Sequence, residues 1–92
     1  MDDLTRRRME HNEQLFRAVN EEIDERSEAR GDIDYLCECA DASCSETVRI
    51  AHAEYEGVRA EPDRYLVLEG HAVPELEDVL EQHDGWLVVR KR

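Results

Sequence analysis

Three cysteines lie within eight residues of the chain, at Cys37, Cys39 and Cys44, and the sequence holds no other cysteine. An odd number of closely spaced thiols cannot all pair as disulfides within one chain. Three thiolates and one imidazole, however, form a standard tetrahedral shell for zinc, and the chain has four histidines. The spacing Cys-x-Cys-x4-Cys therefore predicts a structural zinc site. The alternative is that the thiols are buried and act as small hydrophobic side chains.

The residues between and after the cysteines are mostly acidic or carry a hydroxyl group. Such side chains argue against deep burial of the whole segment, and so against the alternative of inert thiols. Acidic neighbours also raise the pKa of a thiol, so a nucleophilic cysteine is not expected. The residues concerned are Glu38, Asp41, Ser43, Ser45 and Glu46.

His71 is the favoured fourth ligand. It follows an apolar run and Gly70, a position where the backbone can turn a side chain inward at the edge of a sheet. His52, at the start of a predicted helix, is the second candidate. Asp41 is a lesser one, because carboxylates also bind zinc. The remaining two histidines are expected to be exposed: His11 and His83.

An enzyme ranks third among the function classes. His52-Ala53-Glu54 matches the first half of the zinc deaminase signature, in which the glutamate handles protons. The second half, Pro-Cys-x-x-Cys downstream, is missing, and the cysteines lie upstream instead. A complete four-ligand shell also leaves no open position for a reacting water. No catalytic residue is therefore predicted.

Composition limits the partners and the compartment. The 92 residues suit a single domain over 1–92, and 24 acidic against 12 basic residues give a net charge of −12. Such a field repels nucleic acid, so no nucleic-acid partner is expected. No apolar run approaches the roughly 18–20 residues that span a bilayer, and the N-terminal basic cluster lacks the apolar stretch of a signal peptide. A cytoplasmic location, where thiols stay reduced, is expected.

A long helix over residues 3–30 should come before the cysteines. Asp2 or Asp3 can cap it, and Gly31 can end it. This helix (residues 1–31 with its flanks) and an α+β body over 32–92 make up the predicted domain. Apolar side chains recur at intervals of three and four and form one narrow stripe. The stripe consists of Met9, Asn12, Phe16, Val19 and Ile23, with Leu15 beside it.

The pattern of the cysteine segment predicts a strand followed by a turn. Alternation over 33–39 predicts a strand that projects Cys37 and Cys39 from one face. Asp41-Ala42-Ser43 predicts a turn that brings Cys44 back towards that face.

The rest of the chain predicts three more strands, at 47–50, 65–68 and 86–89, and two short helices, at 52–60 and 74–82. The second short helix would begin at Pro74 and turn Leu76, Val79 and Leu80 inward. The expected fold class is α+β, with a long N-terminal helix, a small antiparallel sheet and two short helices, stapled by zinc.

Four stretches of the sequence resemble a group of short uncharacterised bacterial proteins. They are residues 12–21 (NEQLFRAVNE), the cysteine core Cys37, Cys39 and Cys44, residues 53–59 (AEYEGVR), and the pair Gly70-His71. The resemblance covers most of the chain from about residue 10 onwards. Members of the group share the Cys-x-Cys-x4-Cys core and a Gly-His pair, so the resemblance implies a metal-bearing fold with His71 in its site. It implies no activity.

The expected function is that of a small zinc-binding protein acting as a protein–protein interaction module. The long helix would present its stripe to a protein partner or to a second copy of the chain. In a symmetric antiparallel pair, Glu13 and Glu22 would face Arg17 and Arg26 across the seam. The alternative is a thiol- or metal-responsive sensor that releases a partner when the site is lost.

Overall fold

The computed structural model describes residues 2–27 and 31–92 and has an α+β architecture, as the sequence predicts. A long helix leads into two small antiparallel sheets, and one short helix connects them. The elements are α1 (Asp3–Arg26), β1 (Asp32–Leu36), β2 (Thr47–Ala51), α2 (His52–Arg59), β3 (Arg64–Leu68), β4 (Glu77–Gln82) and β5 (Trp86–Lys91). No helix among these residues is long and apolar enough to cross a membrane.

The strands form two sheets instead of the single one expected. β1 pairs with β2, with Tyr35 opposite Val48, and the second sheet has the order β3-β5-β4. The segment after β1 runs beside β3, where Glu38 N donates to Leu66 O at 2.7 Å. The buried Tyr35 and Tyr55 rings stack with centroids 4.2 Å apart and join β1 to α2. The start of the cysteine segment is thus buried where the two sheets meet.

α1 begins as predicted, because the Asp2 carboxylate accepts a hydrogen bond from Thr5 N at 2.8 Å. It ends at Arg26, where the sequence predicted a helix to residue 30; residues 28–30 lie outside the described part of the chain. Its buried face is polar: the buried residues are Glu13, Arg17, Asn20 and Asp24. The predicted apolar stripe lies along one flank of this face, with Phe16 and Ile23 half-buried and Val19 exposed.

The prediction of a helix over residues 74–82 is wrong. Residues Pro74 to Leu76 form a turn, closed by Leu76 N donating to Val73 O, and Glu77–Gln82 is the edge strand β4. Pairing with the buried strand β5 outweighs a weak helical pattern, since propensity is readily overridden by tertiary contacts. Leu76 is buried as expected, but Val79 and Leu80 are exposed, and a bulge between Val79 and Glu81 interrupts the pairing.

Candidate metal centre

Four side chains converge between the two sheets, and they are those that the sequence singled out: Cys37, Cys39, Cys44 and His71. Their ligand atoms all lie within 4.8 Å of one another, so the group could hold a metal ion. His71 Nδ1 is 3.6 Å from Cys37 Sγ and 3.7 Å from Cys44 Sγ. Around a tetrahedral zinc, bond lengths of 2.0–2.3 Å place nitrogen and sulfur ligands about 3.6 Å apart. The spacing of these atoms therefore suits a tetrahedral ion.

The three cysteines come from one connection, between β1 and β2. Cys37 N donates to Glu46 O at 3.0 Å, which continues the pairing of the two strands for one more residue. Asp41 then forms the predicted turn, because its Oδ1 accepts from Ser43 N at 2.9 Å and Ser43 Oγ at 2.7 Å. Cys44 N donates to Asp41 O at 3.0 Å and is thereby turned back towards the other two thiols.

His71 lies in the turn that follows β3 of the second sheet. Gly70 has a φ of 86°, in the left-handed region that favours glycine, and His71 N donates to Leu68 O at 3.0 Å to close the turn after β3. The same strand end supports the site directly, since Leu68 N donates to Cys37 Sγ at 3.3 Å. Such a hydrogen bond stabilises the thiolate form that a metal requires.

Only the first part of the cysteine segment is buried, as its acidic and hydroxyl residues lead one to expect, and Glu38 is the exception among them. Cys37 is 1% exposed, Glu38 0% and Cys39 2%, while Asp41 and Glu46 are exposed. Cys37 and Cys39 pack against Tyr65, Val67, Leu87 and Val89 of the second sheet. The segment is therefore part of the core on one side and open to solvent on the other.

Glu38 explains how an acidic residue can be buried here. Its carboxylate accepts hydrogen bonds from Tyr55 Oη, from Asn20 Nδ2 at 2.8 Å and from Leu66 N at 2.8 Å. Burial raises the pKa of Glu38, and these three hydrogen bonds oppose the increase. Sequence reasoning missed this role. No local signal indicated it, because the three donors come from separate parts of the chain.

The thiols influence each other's protonation more than their acidic neighbours do. A hydrogen bond from Cys37 lowers the pKa of Cys39 to about 5. The hydrogen bond to Cys39 and then burial raise the pKa of Cys37, and burial raises that of Cys44. The expectation that acidic neighbours raise all three values is therefore wrong for Cys39. Binding of a metal would release the remaining thiol protons.

His52, the second candidate for the fourth ligand, lies outside the cluster. It is held between α1 and α2, 2.9 Å from Asp24 Oδ1 and 2.9 Å from Glu56 Oε1. These three residues form a second group that could hold an ion. However, Asp24 also accepts from Tyr35 Oη at 2.7 Å and from Arg59 at 3.2 Å. The guanidinium would repel a metal cation, so this group is better described as an ion-pair network.

The other candidates have separate roles. His11 is exposed on α1. His83 stacks on Trp86 with ring centroids 3.8 Å apart and contacts Glu81 at 2.9 Å. The Asp41 carboxylate is occupied by Ser43 in the turn described above.

A shallow cleft of about 340 Å³ opens beside the metal-ligand cluster. Cys39 and His71 lie in its wall together with Met9 of α1, and Cys44 and His71 are half-buried. One side of the cluster is therefore accessible from solvent.

No protein-family model matches the chain, and neither a curated protein nor a solved structure matches it. The resemblance to a group of bacterial proteins consequently stays a hypothesis.

Proposed function

We propose that this chain is a small zinc-binding protein in which Cys37, Cys39, Cys44 and His71 hold one structural zinc ion. The observation that supports it is the convergence of the four ligand atoms at distances that suit a tetrahedral ion. Three thiolates and one imidazole favour zinc over magnesium, calcium or manganese, which prefer oxygen ligands. With all four positions filled by protein, the ion would have no site for a substrate.

The zinc ion would act as a cross-link between the two sheets. Three of its ligands lie in the connection between β1 and β2, and His71 lies directly after β3. A 92-residue chain buries only about 60–65% of its unfolded surface, so its core alone gives marginal stability. A metal that joins the two sheets would supply the missing free energy.

Metal analysis of the purified, reduced protein tests the proposal. We expect about one zinc per chain, lost in His71→Ala and retained in His83→Ala, which removes a histidine that contacts Glu81 and Trp86 instead. Folded wild-type protein without any transition metal would overturn the zinc site. Equal zinc in both variants would exclude His71 as a ligand.

We further propose that the domain is an interaction module, with α1 as its contact surface. The face of α1 opposite its buried residues carries an outer stripe that is exposed throughout the described helix. The outer stripe consists of Leu4, Arg8, His11, Leu15, Val19, Glu22 and Arg26. Glu13 and Arg17 are buried within their own chain, so they cannot meet a partner helix as first expected.

A second copy of the chain fits the outer stripe. In an antiparallel pair centred on Leu15, a residue that precedes Leu15 lies opposite the residue that follows it by the same number of positions in the other copy. Arg8 would therefore lie opposite Glu22, and His11 opposite Val19. Opposite charges would then face one another twice, once on each side of the apolar centre. This complementarity supports a symmetric homodimer.

A further inference from the structure

Two glutamates are buried together where α1 crosses the start of β4. Glu13 is 0% exposed and Glu77 is 3% exposed. Glu10, one turn before Glu13, binds Lys91 at 3.2 Å, and Lys91 lies opposite Glu77 in the pairing of β4 with β5, so the fold brings Glu13 and Glu77 close together. Glu77 Oε2 accepts from Val73 N at 3.2 Å. Among the described residues, no protein donor reaches either oxygen of Glu13 or Oε1 of Glu77. Three buried carboxylate oxygens thus lack a protein donor at this contact between α1 and β4.

Two ionised carboxylates would be very unfavourable in this place. Each is removed from water, and the two negative charges repel one another at short range. The other charged groups nearby compensate only in part, because the charge of Lys91 lowers the pKa of Glu13 less than burial and Glu77 raise it. Glu10 of α1 adds a third negative charge, and Lys91 of β5 is already bound to Glu10 at 3.2 Å.

Two more ionisable groups face the pair from the second sheet. Tyr65 of β3 is near enough for both carboxylates to raise its pKa, with burial as the larger cause. Arg92, after β5, donates to the backbone oxygen of Glu77 at 3.5 Å while its guanidinium contacts Asp78. Neither supplies a donor to the unpaired oxygens.

We propose that Glu13 and Glu77 bind one proton between them at neutral pH, so that Glu13 is a neutral carboxylic acid that donates to the Glu77 carboxylate. One proton taken from solvent converts a contact between two acceptors into a hydrogen bond between donor and acceptor. It also removes one of the two buried charges. The shared proton would fasten the middle of α1 to the start of β4, independently of any metal.

The direction of the pKa shift agrees with this arrangement. Burial, followed by the hydrogen bond and charge of Glu77, raises the pKa of Glu13 to about 9 from an ordinary 4.5. The folded chain then binds this proton more tightly than the unfolded chain does. The stabilisation is complete below the unfolded pKa and is lost as pH rises from about 4.5 towards 9.

The test compares Glu13→Gln with the wild type in denaturant unfolding between pH 6 and pH 8.5, with the metal content of both held equal. A glutamine at position 13 can donate to Glu77 without titrating. We expect the unfolding constant of the wild type to rise up to about tenfold per pH unit relative to the variant, because unfolding releases one proton. Glu10→Gln is the matched control, since it removes a nearby carboxylate outside the pair and should keep the wild-type slope.

Infrared spectroscopy of the folded wild type gives a second and independent measurement. A carbonyl stretch from a protonated carboxylic acid should be present at pH 7, where exposed carboxyl groups are ionised. This readout can be used even if Glu13→Gln fails to fold. Because burial also raises the pKa of Glu38, persistence of the band in Glu38→Gln is needed to assign it to Glu13, and its loss in that variant would overturn the assignment. Absence of the band, or parallel stability profiles for wild type and Glu13→Gln, would overturn the proposal and mean that both groups are ionised with water or a cation between them.

Discussion

Glu38 occupies the position between two of the candidate ligand cysteines, Cys37 and Cys39, and connects them to three other elements. Its carboxylate binds Asn20 of α1, Tyr55 of α2 and the backbone of Leu66 in β3. Its own N–H donates to Leu66 O. The two ligands on either side of it are therefore fixed by side-chain and backbone contacts together, so Glu38 acts as a positioning residue for the site.

Replacing Glu38 with Ala should destabilise the fold by about 3–5 kcal/mol, because it leaves three buried donors without an acceptor. Metal affinity should fall with it, since Cys37 and Cys39 would no longer be held in place. Glu46→Ala is the matched control: this glutamate is exposed on the same connection, and only its backbone oxygen supports Cys37. Denaturant unfolding and a competitive zinc titration measure both effects. Equal behaviour of the two variants would contradict the role assigned to Glu38.

The three cysteines could be grouped from the sequence because strand periodicity and the turn at Asp41 act over a few residues. His71 lies 34 residues from Cys37, and it was preferred to His52 because of the glycine before it and the Gly-His pair of the resembling proteins. Glu38 was misjudged because its burial depends on donors that are distant in sequence: Asn20 is 18 residues away and Leu66 is 28. A single acidic residue gives no sign of such partners.

At the scale of elements, α1 is attached to the body mainly through polar contacts. Arg17 alone donates to four backbone oxygens between the last residue of α2 and the first residue of β3, at distances from 2.5 to 3.1 Å. Its guanidinium also lies 5.3 Å from the centre of the Tyr65 ring. One of these oxygens, Glu61 O, also accepts from Arg64 N at 3.3 Å. Arg17 connects all four oxygens to α1, so it both supports the loop between α2 and β3 and anchors the helix.

Arg17→Met should therefore destabilise the protein by about 3–5 kcal/mol, although it keeps an apolar side chain of comparable length. Arg17→Lys should recover only part of the loss, because an ammonium group cannot reproduce the planar fork of donors. The control is Arg49→Met, whose partner Asp34 is exposed on the neighbouring strand β1 and whose removal should change stability by less than about 1 kcal/mol. Urea unfolding measures all three. A wild-type stability for Arg17→Met would show that α1 is held by its apolar flank instead.

The inward face of α1 shows why part of the fold was not predictable. The four acceptors of Arg17 lie 42 to 47 residues further along the chain, so the helix pattern alone could not indicate that a charged residue faces inward. The prediction for the segment that forms β4 was wrong for a similar reason. The segment after Pro74 has a weak helical pattern, and only its pairing with β5 makes it a strand. The other elements were found because their local pattern and their tertiary environment agree.

At the scale of the whole molecule, the net charge opposes self-association, whereas the elongated shape provides a long surface for it. A net charge of −12 makes two copies repel one another over long distances. At physiological ionic strength the Debye length is about 8 Å, so salt largely screens this repulsion beyond that distance. Contacts across the outer stripe of α1 would act at shorter range. The described chain measures 42 × 23 × 23 Å, and α1, about 36 Å long at 1.5 Å per residue, spans most of its longest dimension. A pair joined along α1 would therefore form an extended contact.

The homodimer should consequently appear in sedimentation at moderate salt and weaken at low salt, where the net charges repel more strongly. Leu15→Glu should dissociate it, because it places two carboxylates together at the centre of the pair. Leu80→Glu, at an exposed leucine on β4, should leave it intact.

The charge arrangement gives the sharpest test. Arg8→Glu should weaken the dimer by opposing Glu22 of the other copy, and the double variant Arg8→Glu, Glu22→Arg should restore it, because the two sites exchange signs. A chain that stays monomeric at high concentration and moderate salt would contradict self-association, and failure of the double variant to recover would contradict pairing centred on Leu15.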